Sequence, residues 1–89
     1  MYKFVFSEKS LKQLKKLDKS TSKLIVTWLE KNVNNSDNPR IHGKALKGNL
    51  NVYWRYRVGD YRIICLIEDD QLIVVAISVG HRKDIYEIK

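Results

Sequence analysis

The sequence predicts an α+β fold: a compact, twisted, mostly antiparallel β-sheet with an N-terminal helical hairpin packed on it, in the order β-α-α-β-β-β. Three features predict it. Residues 2–6 (YKFVF) alternate and are aromatic or β-branched. Residues 7–33 space their apolar side chains by three and four, the helical period. From Asn51 onward, period-two alternation runs through three segments separated by turn residues.

Each element has its own reason. Ser7 is placed to cap a first helix whose apolar positions are Leu11, Leu14 and Leu17, with Lys9, Lys12, Lys15, Lys16 and Lys19 around the rest. Residues 18–22 read as a break and a new cap. A second helix then runs over residues 21–33, with Leu24, Ile25, Trp28 and Leu29 on one face. Helices this short are not stable alone, so both must dock. Residues 32–39 (NVNNSDNP) form a loop. Residues 40–50 admit more than one reading: Gly43 and Gly48 mark tight backbone, and residues 44–47 between them fit one helical turn. Next, Val52, Trp54, Tyr56 and Val58 alternate with Tyr53, Arg55 and Arg57, which makes a strand closed by the turn pair Gly59-Asp60. Residues 61–67 make another strand, residues 68–70 an acidic turn, and residues 71–79 a last strand. That last strand is apolar on both faces and is therefore expected inside the sheet. Gly80 ends it, and residues 81–89 are a short basic tail. The strand order is left open.

Composition limits the function. The chain of 89 residues reads as one domain over residues 1–89, too small for a nucleotide-binding domain plus a substrate domain. Seventeen Lys+Arg against ten Asp+Glu give a net charge of +7. That favours nucleic acid, an acidic protein or an anionic membrane as partner, without choosing among them. There is no apolar run of transmembrane length and no secretory pattern at the start, so no membrane association is expected and the cytoplasm is the expected location. A single cysteine, Cys65, excludes an internal disulfide and lies mid-strand in an apolar run, as a buried structural thiol does. His42 and His81 lack metal-ligand spacing, Glu68, Asp69 and Asp70 lack a calcium-loop pattern, and no phosphate-loop or dinucleotide motif is present. No metal and no small-molecule cofactor are expected.

The candidate chemistry lies in the second half. Arg55 and Arg57, two apart on a strand, are roughly 6–7 Å apart, close to the spacing of successive phosphates. Residues 40–62 hold Arg40, Lys44, Lys47, Arg55, Arg57 and Arg62 against one acid, Asp60, with Tyr53, Trp54, Tyr56 and Tyr61 interleaved. Cations beside aromatics suit a groove that tracks a nucleic-acid backbone. The plainer reading is a solvated outer face, with Trp54 and Tyr56 on the opposite, core side. Arg62, near the start of an apolar strand, is an edge charge, an ion-pair partner or a fixed anion-binding fork. His81, Arg82, Lys83 and Tyr86 follow the last strand directly. Histidine can exchange a proton near neutral pH, arginine can hold a phosphoryl group, and tyrosine can stack on a base. A basic tail with Tyr86 packed back as an anchor is the alternative.

Three stretches carry a family resemblance: FSEKSLKQLKKLDK (6–19), KALKGNLNVYWRYRVGDYRIICLI (44–67) and IVVAISVGHRKDIY (73–86). In this order, and over nearly the whole chain, the sequence resembles the RelE/ParE superfamily of toxins from type II toxin–antitoxin pairs. LKG, then a strand and turn reaching DYRI, then VGHRKDIY, is the specific combination. The resemblance implies a compact sheet with two N-terminal helices. For the RelE-like branch it implies a metal-independent endoribonuclease that cuts mRNA in the ribosomal A site. There the 2′-hydroxyl attacks its own adjacent phosphate, inhibiting translation.

Carried over by position, Arg62 matches the family's phosphate-binding arginine. Arg55 matches the second of two catalytic lysines, and Arg82 the arginine after the VG pair. Tyr86 matches the C-terminal stacking tyrosine, in a segment two residues shorter here. The first lysine falls on Tyr53, a departure that shifts weight onto His81 as the proton-transfer group. Lys44 and Lys47 match supporting basic residues, and Tyr53, Arg57 and Lys83 complete the RNA-binding set. The partners implied are a cognate antitoxin, mRNA and the ribosome. Two alternatives stand beside this reading: a ParE-like inhibitor of DNA gyrase, and a nucleic-acid-binding module without catalysis.

Overall fold

The computed structural model describes residues 1–81. The chain runs β1 (Lys3–Phe6), α1 (Glu8–Lys15), α2 (Lys19–Asn32), β2 (Lys44–Ala45), a 3-10 turn (Gly48–Leu50), β3 (Trp54–Val58), β4 (Tyr61–Glu68) and β5 (Ile73–His81). The strands form one sheet in the order β1-β5-β4-β3-β2, antiparallel except for the parallel β1–β5 pair. β5 is paired on both sides, as its two apolar faces require. Among the described residues no helix is long and apolar enough to cross a membrane.

The first helix begins on Ser7, the residue placed to cap it, and the second on Asp18, inside the segment 18–22 read as a break and a new cap. The Ser7 side chain accepts from the N–H of Ser10 at 3.1 Å, and Asp18 accepts from the N–H of Thr21 at 3.1 Å. Hydrogen bonds from Ser20 and Thr21 hold the Asp18 carboxyl down at about 2. The cap at Asp18 starts α2 two residues before the expected start at residue 21. α1 docks through polar atoms as well as through Leu14: the buried Ser10 hydroxyl donates to the carbonyl of Ala76 at 2.8 Å. The Gln13 Oε1 accepts from the N–H of Val79 at 2.7 Å. The expected apolar faces are narrower than they read. Leu11 is 38% exposed and Leu24 57%, whereas Ile25, Leu29 and Val33 are buried.

The main core lies between the helices and one face of the sheet. It joins Leu14, Ile25, Leu29 and Val33 to Tyr56, Val58, Ile63, Cys65, Val74, Ala76 and Val79. A small second cluster of Leu46 and Ile64, with Leu50, Tyr53 and Ile77 against it, lies apart from the main core. Burial pushes the Cys65 thiol well above its ordinary pKa, which suits an inert packed side chain.

Residues 44–47 do not make a helical turn. Lys44 and Ala45 pair with Arg55 and Trp54 instead, and the helical turn comes later at Gly48–Leu50. Gly43 decides this, at φ +83°, because a Cβ there would lie 2.3 Å from the carbonyl oxygen of Arg55. The preceding loop is tied down throughout. The Tyr56 hydroxyl donates to the carbonyl of Pro39 at 2.5 Å and the Trp54 indole to that of His42 at 2.8 Å. Arg40 meets Asp69 with two bonds of 2.9 and 3.0 Å, and the Tyr2 hydroxyl donates to the same carboxylate at 2.6 Å. Residues 34–36 also cover the outer edge of β1. Tyr2 N–H donates to the Ser36 carbonyl at 2.7 Å, and Phe4 N–H to the Asn34 side chain at 3.0 Å.

β3 begins at Trp54, with Val52 outside it and 66% exposed. β5 continues through Gly80, where the sequence placed its end, to His81.

Candidate functional site

The pairing register decides which side chains share a face. On β3 and β4 the aligned pairs are Trp54–Cys65, Arg55–Ile64, Tyr56–Ile63, Arg57–Arg62 and Val58–Tyr61. Tyr56, Val58, Ile63 and Cys65 belong to the core under the helices, so Arg55, Arg57 and Arg62 project from the other face. Lys44 is aligned with Arg55 and joins them. Four cations from three adjacent strands therefore occupy one end of the helix-free face. Lys47 and Tyr53 lie beside them: both flank the second cluster, Tyr53 by packing on it and Lys47 next to its Leu46.

Arg62 is the distinctive member. Its side chain is half-buried, and among the described residues its Nε and Nη1 are buried from solvent without a hydrogen-bond partner. A buried donor left unmatched costs about 1–3 kcal/mol, more when it carries charge. An incoming group with several acceptor oxygens would satisfy both nitrogens at once. Arg57, aligned with it, adds like charge and makes an anion more welcome still.

His81 is placed differently. It is aligned with Tyr61, and their rings meet edge-on at 5.6 Å between centroids. Gly80 is the residue aligned with Arg62. His81 and Arg62 thus start from opposite faces at the same end of the sheet. Arg82, Lys83 and Tyr86 lie outside the described residues.

A cleft of about 310 Å³ opens at the β3 edge, lined by Trp28, His42, Gly43, Lys44, Arg55 and Arg57. A larger groove of about 560 Å³ runs along Lys44, Ala45, Leu46, Lys47, Leu50 and Arg55. Lys44 and Arg55 line both. The sequence reading singled out neither Trp28 nor His42 for this region. Nothing in the spacing of an α2 residue and a loop residue signals that they meet here, with ring centroids 5.4 Å apart.

Comparison with known proteins bears on the family and the fold. Residues 4–86 match the family model for the ParE toxin of the type II toxin–antitoxin system parDE. The chain is 32% identical over 90 residues to a protein of Escherichia coli to which a RelE-like toxin identity is ascribed, covering 98% of this chain and 92% of that protein. Among solved structures it is similar to the toxin–antitoxin complex RelBE2 of Mycobacterium tuberculosis. The TM-score is 0.82 at 28% identity, over 93% of this chain and 93% of that one. It is similar also to the isolated RelE toxin of Escherichia coli, with a TM-score of 0.73 at 25% identity, over 91% of this chain and 84% of that one. The RelB–RelE antitoxin–toxin complex of Methanococcus jannaschii gives 0.68 at 30% identity, over 89% and 91%.

Proposed function

The chain belongs to the RelE/ParE superfamily of toxins, and from that premise we propose that it is a ribosome-dependent mRNA endoribonuclease. One observation carries the reading: the half-buried guanidinium of Arg62, whose Nε and Nη1 have no hydrogen-bond partner among the described residues, on a face it shares with Arg55 and Arg57. In the proposed reaction the RNA 2′-hydroxyl attacks the adjacent phosphorus. A 2′,3′-cyclic phosphate forms as the bond to the 5′-oxygen breaks, and that oxygen leaves with a proton as a hydroxyl. Arg62 binds the phosphate, and Arg55 supports the negative charge that builds on it. Arg57, Lys44, Lys47 and Tyr53 carry the flanking strand.

By the family resemblance, Arg82 joins the phosphate-binding set, Lys83 the flanking contacts, and Tyr86 stacks on a base. His81 is the proposed proton-transfer group, taking the proton from the 2′-hydroxyl or giving it to the leaving oxygen. Its position opposite Arg62 adds a condition: the RNA must pass over the end of β4 and β5 to meet both. DNA has no 2′-hydroxyl, so it should bind by charge and stay intact. The complexes formed by relatives support a cognate antitoxin as partner, and the proposed action on translating ribosomes would place it in the cytoplasm.

The ParE-like branch of the superfamily supplies a second reading, inhibition of DNA gyrase. One experiment separates them. The protein is made in a cell-free translation reaction and mRNA 5′ ends are mapped by primer extension, with R62A and H81A alongside. Cuts within ribosome-occupied codons, absent in R62A, are expected. Loss of cutting in H81A is expected too, and full-rate cutting would remove histidine from the scheme. Intact mRNA with translation continuing would overturn the endoribonuclease reading and make gyrase supercoiling the next assay.

A further inference from the structure

The cleft at the β3 edge has a composition that phosphate binding alone does not need. Lys44, Arg55 and Arg57 line it from the edge of the helix-free face, and the Trp28 and His42 rings, edge-on to each other at 5.4 Å, supply an aromatic wall toward α2. Its volume of about 310 Å³ suits one small group. β2 covers only Trp54 and Arg55, so the cleft opens just where the covering strand stops. Gly43 lines it at φ +83°, against the Arg55 carbonyl, and any side chain there would collide with β3.

We propose that this cleft is a nucleotide subsite, which holds one neighbour of the scissile nucleotide with its base against Trp28 and His42 and its phosphate on Lys44, Arg55 and Arg57. The inference rests on the RNA reading above and extends it. An acidic peptide would use the cations and leave the aromatic wall idle. A nucleotide uses both, because every base presents a π-face. Arg55 and Arg57 also belong to the Arg62 face, so a strand lying across that face reaches the cleft without leaving the cations.

The test uses an uncleavable, fully 2′-O-methylated hexanucleotide carrying 5-iodouracil, so binding is read without turnover. Photocross-linking to the wild-type chain, mapped by mass spectrometry, is expected at Trp28 or His42. H42A is expected to weaken hexamer binding about tenfold, as loss of one stacking platform does. The substitution spares the fold, because the Trp54 indole bonds the His42 carbonyl, which alanine retains. Cross-links confined to other residues, with H42A binding the hexamer like wild type, would overturn the subsite even if ribosomal cleavage is found. Equal competition by polyglutamate at matched charge would overturn it as well, in favour of an acidic protein ligand. If ribosomal cleavage is absent but the hexamer still cross-links at Trp28, nucleotide binding in the cleft stands, and the endoribonuclease reading falls together with the cleft's place beside a scissile nucleotide.

Discussion

Arg57 and Arg62 stand directly opposite each other on β3 and β4, two guanidinium groups on the face of the sheet turned away from the helices. Like charges placed so are unfavourable in the protein alone, and the buried nitrogens of Arg62 add to the cost. Arg62→Met keeps the aliphatic stem and removes both penalties. It should raise stability by about 1 kcal/mol in urea unfolding. In the same variant mRNA cutting should fall about 100-fold or more, as loss of a charge-stabilising donor does. A variant that lost both stability and activity would point to a structural arginine.

Salt should report the cationic face directly. The affinity for single-stranded RNA should fall with log salt with a slope near −0.7 for each phosphate neutralised. Arg57→Ala, at an exposed position, should make that slope shallower by about 0.7 and weaken binding at all sequences alike. Fluorescence anisotropy at four salt concentrations is enough to see it.

Asp69 gives a pH signature. Hydrogen bonds from the Arg40 guanidinium and then from the Tyr2 hydroxyl hold its carboxyl down at about 2, below its ordinary value near 3.9. The folded state therefore binds this proton less readily than the unfolded chain. The stabilisation is present above about pH 4 and is lost as pH falls through 2. Urea midpoints should show Asp69→Asn less stable than wild type at pH 6, with the gap closing by pH 2. Asp18, also held at about 2, keeps a residual acid dependence in that variant.

Gly43→Ala tests the tight approach of the loop to β3. The added Cβ would meet the Arg55 carbonyl oxygen at 2.3 Å and the Trp54 indole nitrogen at 2.8 Å, from a backbone at φ +83°. The variant should lose about 2 kcal/mol or more, and thermal unfolding measures it. Gly48→Ala has open space around it and should cost only the strain of its positive φ.

Ser10→Ala removes a fully buried hydroxyl that ties α1 to the carbonyl of Ala76. A loss of about 1–2 kcal/mol is expected. Hydrogen exchange should locate the effect at the α1–β5 contact.

What could be read from the sequence was local. Ser7 and the segment 18–22 announce helix starts because a short polar side chain can satisfy an N–H three residues on, as Ser7 and Asp18 do. The alternation of Trp54, Tyr56 and Val58 with Arg55 and Arg57 separates core from outer face because strand side chains alternate. What could not be read was long-range. The parallel pairing of β1 with β5 joins residues 70 apart, such as Lys3 and Ile73. The short strand Lys44–Ala45 exists because Gly43 lets the loop press on β3, and two residues carry no period of their own. The opposite facing of His81 and Arg62 follows from β4–β5 register, which no spacing within either strand reveals.

The loop over residues 34–36 leaves the sheet with unequal margins. On β1, whose Lys3 N–H points inward to Leu72, the outward N–H groups of Tyr2 and Phe4 are already spent on Ser36 and Asn34. A further chain seeking to extend the sheet by main-chain pairing finds that margin occupied by the protein's own loop. Edge-to-edge stacking into fibres, which needs two open margins per molecule, is thereby blocked on one of them.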